Sequence, residues 1–403
     1  MHNPKFMGGI LLIAGTSIGG GMLALPIATA ALGFTNSIVF LFLCWLITTA
    51  SALLLLEVNL CLPAGNNIIS MAKATLGIIG QIVAWISYLC LLYALLSGYI
   101  AGGSDVLNSL LSKIVILPSW TTSLIFTFVF SLIVYMGISA VDYMNRGFMI
   151  CKFAVYLLLV TIISPKISLV SLQGGSLPAI TSCLMILVTS FGFSVIISSL
   201  REYYQGNLII LRKVVLLGSL VPLVCYILWN AVIMGVLQNH GNGGLQVLMH
   251  SNRANSDLVT ALSLAVQNQW ISAFFSFFAS ICMVTAFLGV STALFDFFAD
   301  GLNLKKTGRQ GKYAFALTFL PPLLLVIIKP GVYIAALSYA GICCVILLLL
   351  LPALMAWRAR QTKLNNTSLN LVPGGNLSLS LIIVTSLLLL FMTATGSYAA
   401  SSG

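Results

Sequence analysis

The chain has 403 residues, of which 60% are hydrophobic and 6% charged, with a formal net charge of +11. A soluble domain carries about a quarter of its residues as charges, so this composition excludes a soluble enzyme or a nucleic-acid-binding module. It requires the lipid bilayer as a partner.

Apolar stretches of about 20 residues cross a bilayer as helices. They fall at 6–32, 34–61, 79–111, 121–140, 147–164, 178–200, 210–237, 270–298, 313–328, 331–357 and 379–398. The chain reads as an all-α membrane protein with eleven transmembrane helices in a single domain spanning 1–403. Lys329-Pro330-Gly331 marks a turn between the ninth and tenth of these helices.

The first helix, Met7 to Leu32, is interrupted by Gly15-Thr16-Ser17-Ile18-Gly19-Gly20-Gly21. Unwound backbone at membrane depth must line a cavity or bind something, because lipid offers no hydrogen bonds. Free N–H groups of Gly19, Gly20 and Gly21, at the positive end of the outer half-helix, suit a carboxylate. Carbonyls near Ala14, Gly15 and Thr16 suit an ammonium, so one break can hold both ends of an amino acid zwitterion. In the second helix, Glu57 stands near one end and reads as a structural partner for a basic residue.

The third helix carries Tyr88, Tyr93, Ser97 and Tyr99, and of these Tyr93 and Ser97 lie near the depth of a central site. Asp105, close to the end of that helix, reads as part of an outer gate. The fifth carries Lys152, about one and a half turns from its start. An intramembrane lysine is a functional candidate by its cost: its ammonium can stand where a sodium ion would otherwise sit and can carry the coupling proton. Snorkelling to the interface is the alternative reading.

The sixth helix, Pro178 to Leu200, holds a second interruption at Thr189-Ser190-Phe191-Gly192-Phe193, which contributes two hydroxyls and two aromatic faces. Two glycine-broken helices at corresponding places in two halves of a chain are the sequence signature of a secondary transporter. Five helices follow from each start, 6–164 and 178–357, which fits a five-plus-five inverted repeat with broken helices 1 and 6 and one extra helix at 379–398. The eighth helix carries Phe274, Phe275, Phe277, Phe278 and Phe287, of which Phe287 lies at the expected depth. Its Ser291 and Thr292, with the Ala14 carbonyl, form an alternative ion site for sodium. Asp296 and Asp300, four residues apart beside Lys305 and Lys306, read as an inner gate or a solvated helix end.

Charge placement sets the orientation. With the N-terminus cytoplasmic, Lys5, Lys73, Arg146, Lys152, Arg201, Arg212, Lys213, Lys305, Lys306, Arg309, Lys312, Arg358, Arg360 and Lys363 fall at the inner ends, and Lys113, Lys166, Arg253 and Lys329 at the outer ones. That is a strong positive-inside bias, and it puts the uncharged tail from Ser397 outside. The nine cysteines lie within or at the ends of helices and behave as small apolar residues. His2, His240 and His250 sit in the tail and the outer loop and suggest no metal site or catalytic dyad. Ala28-Thr29-Ala30 looks like a signal-peptidase site, but the glycines before it and a single lysine at the start argue against one.

Ala14 to Pro26, Leu53 to Glu57, Thr189 to Phe193, Gly206-Asn207, Phe287-Leu288-Gly289-Val290 and Phe319-Leu320-Pro321-Pro322 resemble the bacterial hydroxy and aromatic amino acid permeases. That resemblance covers nearly the whole chain. It implies a LeuT-like fold in the amino acid, polyamine and organocation superfamily, multi-pass in the inner membrane, and proton-driven uptake of tyrosine, with tryptophan or phenylalanine as relatives. It also implies a coupling role for Lys152, because similar permeases carry a lysine in its place. The chain departs from such relatives at Ser190-Phe191-Gly192-Phe193-Ser194-Val195, where they read Ser-Phe-Gly-Phe-His-Gly.

The expected assignment is therefore a proton symporter of an aromatic amino acid, with no cofactor and no obligate protein partner. The rivals are a sodium-coupled carrier, a serine or threonine permease, a sensor that binds without transport, and a channel. A sensor needs a signalling domain and a channel a polar ring along several helices; neither is visible in the sequence.

Overall fold

The computed structural model describes residues 4–112, 114–172, 180–237, 244–249, 251–267, 269–302, 304–305, 308–362 and 370–401. Lys113, Lys306, Lys363, His2, His240, His250, Pro178 and the last two residues of the tail lie outside them. Among the described residues the chain is all helical. In order, the helices are α1 (Pro4–Ser17), α2 (Gly20–Thr29), α3 (Gly33–Cys61), α4 (Ile68–Leu111), α5 (Ser119–Tyr135), α6 (Ile138–Ile163), α7 (Ile180–Ser190) and α8 (Ile197–Tyr203). They continue with α9 (Leu208–Val236), α10 (Leu245–Leu248), α11 (Ala254–Val266), α12 (Gln269–Gly301), α13 (Gly308–Ile328), α14 (Tyr333–Cys344), α15 (Leu351–Gln361) and α16 (Gly375–Ser401).

Nine segments among the described residues are long and apolar enough to cross a membrane, and Phe6–Ser17, Ser119–Tyr135 and Ala254–Val266 are shorter apolar helices. One of the nine, Gly20–Cys61, runs for 42 residues, about twice what one crossing needs. Gly33, at φ 74 and ψ 168, turns the chain back there, a conformation that a side chain would resist. The contacts show the reversal. Gly9 of α1 lies against the Tyr204 hydroxyl, and Asn59 near the end of α3 receives Arg201. Both therefore lie at the end of the bundle where α8 finishes, so α1 and α2 make one pass and α3 the return.

Three boundaries differ from the sequence reading. Helix α6 starts at Ile138, not near 147, because Gly137 at φ 101 ends the α5 segment and lets the next helix begin at once. Lys152 is thus about four turns into its helix, and its Nζ turns inward to the Ile18 carbonyl instead of toward an interface. Helix α4 begins at Ile68, where the Asn67 side chain caps the Ser70 N–H, and bends at Gly77; the polar residues before the bend hid that first piece. The connection after α9, expected as a loop, contains α10 and α11, whose apolar faces pack on the bundle.

The surface is inverted relative to a soluble protein. Ile78, Ile82 and Ile86 of α4 and Leu381, Val384, Leu388 and Phe391 of α16 are exposed, as helices facing lipid require. The largest fully buried side chains include Trp229, Tyr226, Lys152, Phe191, Phe193 and Phe287. Two proline-freed carbonyls find side-chain donors. The Tyr93 hydroxyl donates to the Leu317 carbonyl at 2.7 Å, which Pro321 four residues on cannot serve. Likewise Ser51 Oγ donates to the Leu348 carbonyl at 2.5 Å, four residues before Pro352, within the π-helical turn Val345–Leu350 that joins α14 to α15.

Charged groups tie the helix ends. Glu57, 3% exposed, takes Arg360 Nε at 2.7 Å and Nη2 at 2.9 Å and also accepts the Leu371 N–H. Arg201 donates to the Asn59, Leu62 and Pro63 carbonyls, satisfying the open C-terminal end of α3. At the opposite end, Asp105 accepts the N–H groups of Asn255 and Ser256 and the Ser256 hydroxyl, the last at 2.6 Å, and so caps α11. Two cavities of about 220 and 210 Å³ lie at that end and share Asp105, Asn108 and Arg253.

Candidate substrate site at the two helix breaks

The first break opens between α1 and α2. Ile18 N–H still completes the ladder on the Ala14 carbonyl at 2.8 Å, and the next bond is a tighter one from Met22 N–H to the Gly19 carbonyl at 3.1 Å. The N–H groups of Gly19, Gly20 and Gly21 find no backbone carbonyl among the described residues. They stand at the start of α2, where the aligned peptide dipoles make a place for negative charge. Ser17 Oγ, next to them in the chain, is buried without a hydrogen-bond partner among the described residues.

The glycines are required by close packing. A Cβ on Gly20 would lie 2.5 Å from the Tyr99 ring, and one on Gly21 would lie 3.0 Å from Ser190 Oγ and 3.6 Å from Ser190 Cα. The second contact puts the two breaks side by side. At the second, α7 ends on Ser190 and a 3₁₀ segment, Gly192–Ile196, leads to α8. Gly19 faces α12, with a Cβ built there 3.5 Å from that of Ala286.

Carbonyls at or next to the breaks are met by side chains from other helices. Lys152 Nζ of α6, in a residue 1% exposed, donates to the Ile18 carbonyl at 2.5 Å. The Tyr226 hydroxyl of α9 lies 2.6 Å from the Ser17 carbonyl and 2.9 Å from the Ser190 carbonyl. The Tyr333 hydroxyl of α14 reaches the Gly20 carbonyl at 2.5 Å. Ala14 spends its carbonyl on Ile18, so the oxygens turned to cationic and hydroxyl donors are those of Ser17, Ile18, Gly20 and Ser190, further along than the sequence placed them.

Gly19, Gly20, Gly21, Ile18, Ser190, Phe191 and Lys152 are brought together here. Phe191 is 1% exposed and packs edge-on against Tyr226 at 5.2 Å, while Gly192 and the fully buried Phe193 fix the 3₁₀ turn behind it. The hydroxyls are spent on backbone: Ser190 on Ile186, Thr189 on Met185 and Leu337, and Thr16, which is exposed, on Leu12. Ser97 donates to the Tyr93 carbonyl, and Tyr93 itself faces α13. Phe287 sits in an aromatic cluster, 5.4 Å from Phe126 and 5.8 Å from Phe319. Ser291 and Thr292 donate to the Phe287 and Leu288 carbonyls of their own helix.

Tyr226 and Tyr333 escaped the sequence reading. The available signal was a lone tyrosine inside an apolar run, Val224-Cys225-Tyr226-Ile227 and Val332-Tyr333-Ile334, since a buried phenol needs an acceptor.

A sequence profile of the tryptophan/tyrosine permease family matches residues 2–393. The chain belongs to the tryptophan/tyrosine permease family. It is 32% identical over 388 residues to tyrosine-specific transport system 1 of Haemophilus influenzae, covering 96% of this chain and 95% of that protein. A tryptophan-specific transport protein of the same organism is 30% identical over 400 residues, 96% of this chain and 94% of its own. Glutamine transporter 2 of Aliivibrio fischeri is 30% identical over 397 residues, 96% of this chain and 99% of its own. This permease is thus a membrane-embedded transport protein and not an enzyme, and its relatives differ in the side chain their names assign to the substrate.

Proposed function

We propose that this permease imports an aromatic amino acid, tyrosine first, together with a proton, by alternating access around the two helix breaks. The supporting observation is the row of free N–H groups on Gly19, Gly20 and Gly21 beside the carbonyls of Ser17 and Ser190. Such a row accepts a carboxylate, and the neighbouring oxygens accept an ammonium, so the pair selects an α-amino acid by its backbone. The aromatic class rests on the tyrosine- and tryptophan-specific relatives and on the Tyr99 and Phe191 rings against the breaks.

Lys152 is the coupling residue in this reading. Its ammonium occupies the Ile18 carbonyl, the kind of oxygen a sodium ion would need, and a lysine that gives up its proton there releases that carbonyl as the site opens to one side. Ser291 and Thr292 then serve helix packing. The chain makes eleven crossings with α1–α2 as the first and α7–α8 as the sixth, a LeuT-like five-plus-five inverted repeat with α16 added. It lies in the bacterial inner membrane, N-terminus inside and C-terminus outside, and works without a cofactor or an obligate protein partner.

The test is uptake of radiolabelled tyrosine by proteoliposomes under a proton or a sodium gradient imposed separately, with unlabelled tryptophan, phenylalanine, serine and glutamine as competitors. Accumulation driven by protons and blocked by aromatic competitors is expected. Accumulation only with sodium refutes the coupling assignment, glutamine or serine competition refutes the substrate class, and binding without accumulation refutes transport.

A further inference from the structure

Tyr226 lies in the middle of α9 with no exposed surface. Its hydroxyl oxygen is within hydrogen-bond distance of the last carbonyl of α1, on Ser17, and the last carbonyl of α7, on Ser190. One side chain from an unbroken helix therefore touches both breaks. A phenol has a single proton, so it donates to one carbonyl at a time and leaves the other facing an oxygen. Among the described residues no other donor reaches either carbonyl. The Phe191 ring, edge-on at 5.2 Å, keeps the phenol from swinging out of this position.

An unserved carbonyl in a dry site is costly, because it has lost water without gaining a donor. A substrate ammonium brings three donors to the same place. We propose that Tyr226 is a positioning residue that holds the two breaks in register in the unloaded carrier, and that the α-ammonium of the substrate takes over the carbonyl the hydroxyl leaves unserved. The inference rests on the amino acid transport reading above. It assigns the phenol proton a role that is greatest when no ammonium is present. The step that depends on it is the return of the unloaded carrier, which net uptake needs and substrate exchange does not.

Tyr226→Phe keeps the ring and removes the hydroxyl. In proteoliposomes, net proton-driven tyrosine uptake by Y226F is expected to fall about ten- to hundredfold. Exchange of labelled against unlabelled tyrosine is expected to stay within about twofold of the unsubstituted protein, and tyrosine binding in detergent to persist. A purely structural role lowers both rates and binding together, and that result overturns the proposal. So does equal retention of both. Should Y226F fail to insert, Phe191→Leu, which frees the phenol from its ring contact, is expected to lower the ratio of net uptake to exchange, and an unchanged ratio overturns the proposal. Absence of both exchange and net uptake in the unsubstituted protein is a failure of the transport reading instead, and is told apart by that control.

Discussion

Gly20 stands where the first break meets α4, and Gly20→Ala tests whether that approach is needed. A Cβ built there lies 2.5 Å from Tyr99 Cε1, 2.8 Å from Cδ1 and 3.4 Å from Met283 Sδ. Carbon atoms in contact sit about 3.5–4.0 Å apart, so the methyl is about 1 Å too close to the ring. Tyr99 is 8% exposed and has no open space to turn into. Either the start of α2 moves away from α4 or the ring leaves its rotamer, and overpacking of this kind costs about 1–3 kcal/mol. The same shift moves the N–H row of Gly19 to Gly21 and the Gly20 carbonyl that Tyr333 meets at 2.5 Å. The expected result is a folded protein with a lowered thermal midpoint in detergent and tyrosine uptake reduced about tenfold or more. Tyr99→Leu in the same chain removes the clashing ring and restores part of the loss, with a coupling between the two changes of about 0.5–3 kcal/mol in a double-mutant cycle. A G20A protein as stable and as active as the original, or one that Tyr99→Leu does not relieve, refutes the packing argument.

Lys152→Ala is expected to abolish tyrosine accumulation driven by a pH gradient while leaving tyrosine binding measurable; undiminished uptake with an unchanged pH dependence refutes the coupling role. Glu57→Gln leaves Arg360 without its counter-charge, and breaking one side of a buried pair costs about 3–5 kcal/mol. A sharp drop in membrane yield and thermal midpoint is expected, and an unaltered midpoint sinks that account of the Glu57–Arg360 tie. Tyr93→Phe takes the donor from the Leu317 carbonyl that Pro321 cannot serve, at about 1–3 kcal/mol of stability, with the KM for tyrosine unchanged. A raised KM at unchanged stability instead places the Tyr93 hydroxyl on the substrate.

Much of the fold was legible because the bilayer imposes one rule on the whole chain, a run of about 20 apolar residues per crossing. The errors came where that rule is silent. Gly137 starts α6 nine residues before the apolar run expected at 147, through Asp142, Asn145 and Arg146, because exposed polar residues are compatible with a helix end that leaves the membrane. An exposed Asp142–Arg146 pair at 2.7 Å shows how that first part of α6 is solvated. Within the site, a glycine cluster marked the first break, since only residues without a side chain allow Tyr99 and Ser190 to approach so closely, and the single Gly192 marked the second. The hydroxyl residues near them were less informative. A serine or threonine in a helix reaches its own carbonyl four residues back without help from tertiary structure, as Thr16, Thr189, Ser190, Ser291 and Thr292 do.

The partners of the breaks are a different class of residue. A tyrosine or lysine is too long to satisfy itself on its own helix turn and reaches across to another element. Among the described residues Lys152, Tyr226, Tyr333 and Tyr93 do so, each ending on a carbonyl at a break, at the first turn after one, or before a proline, while buried Tyr156 reaches the Cys225 carbonyl inside α9. Lipid cannot supply these hydrogen bonds, so a carbonyl freed in a spanning helix is stabilised when a long polar side chain from elsewhere in the chain reaches it. Such side chains therefore map the irregular backbone from outside it. The map also bears on mechanism: a carbonyl held by a phenol or an ammonium can exchange that donor for one on the substrate at little net cost in hydrogen bonds. Under the proposed alternating access, opening and closing would turn on which donor each carbonyl holds, and the residues to vary are the donors on α6, α9 and α14 as much as the glycines they face.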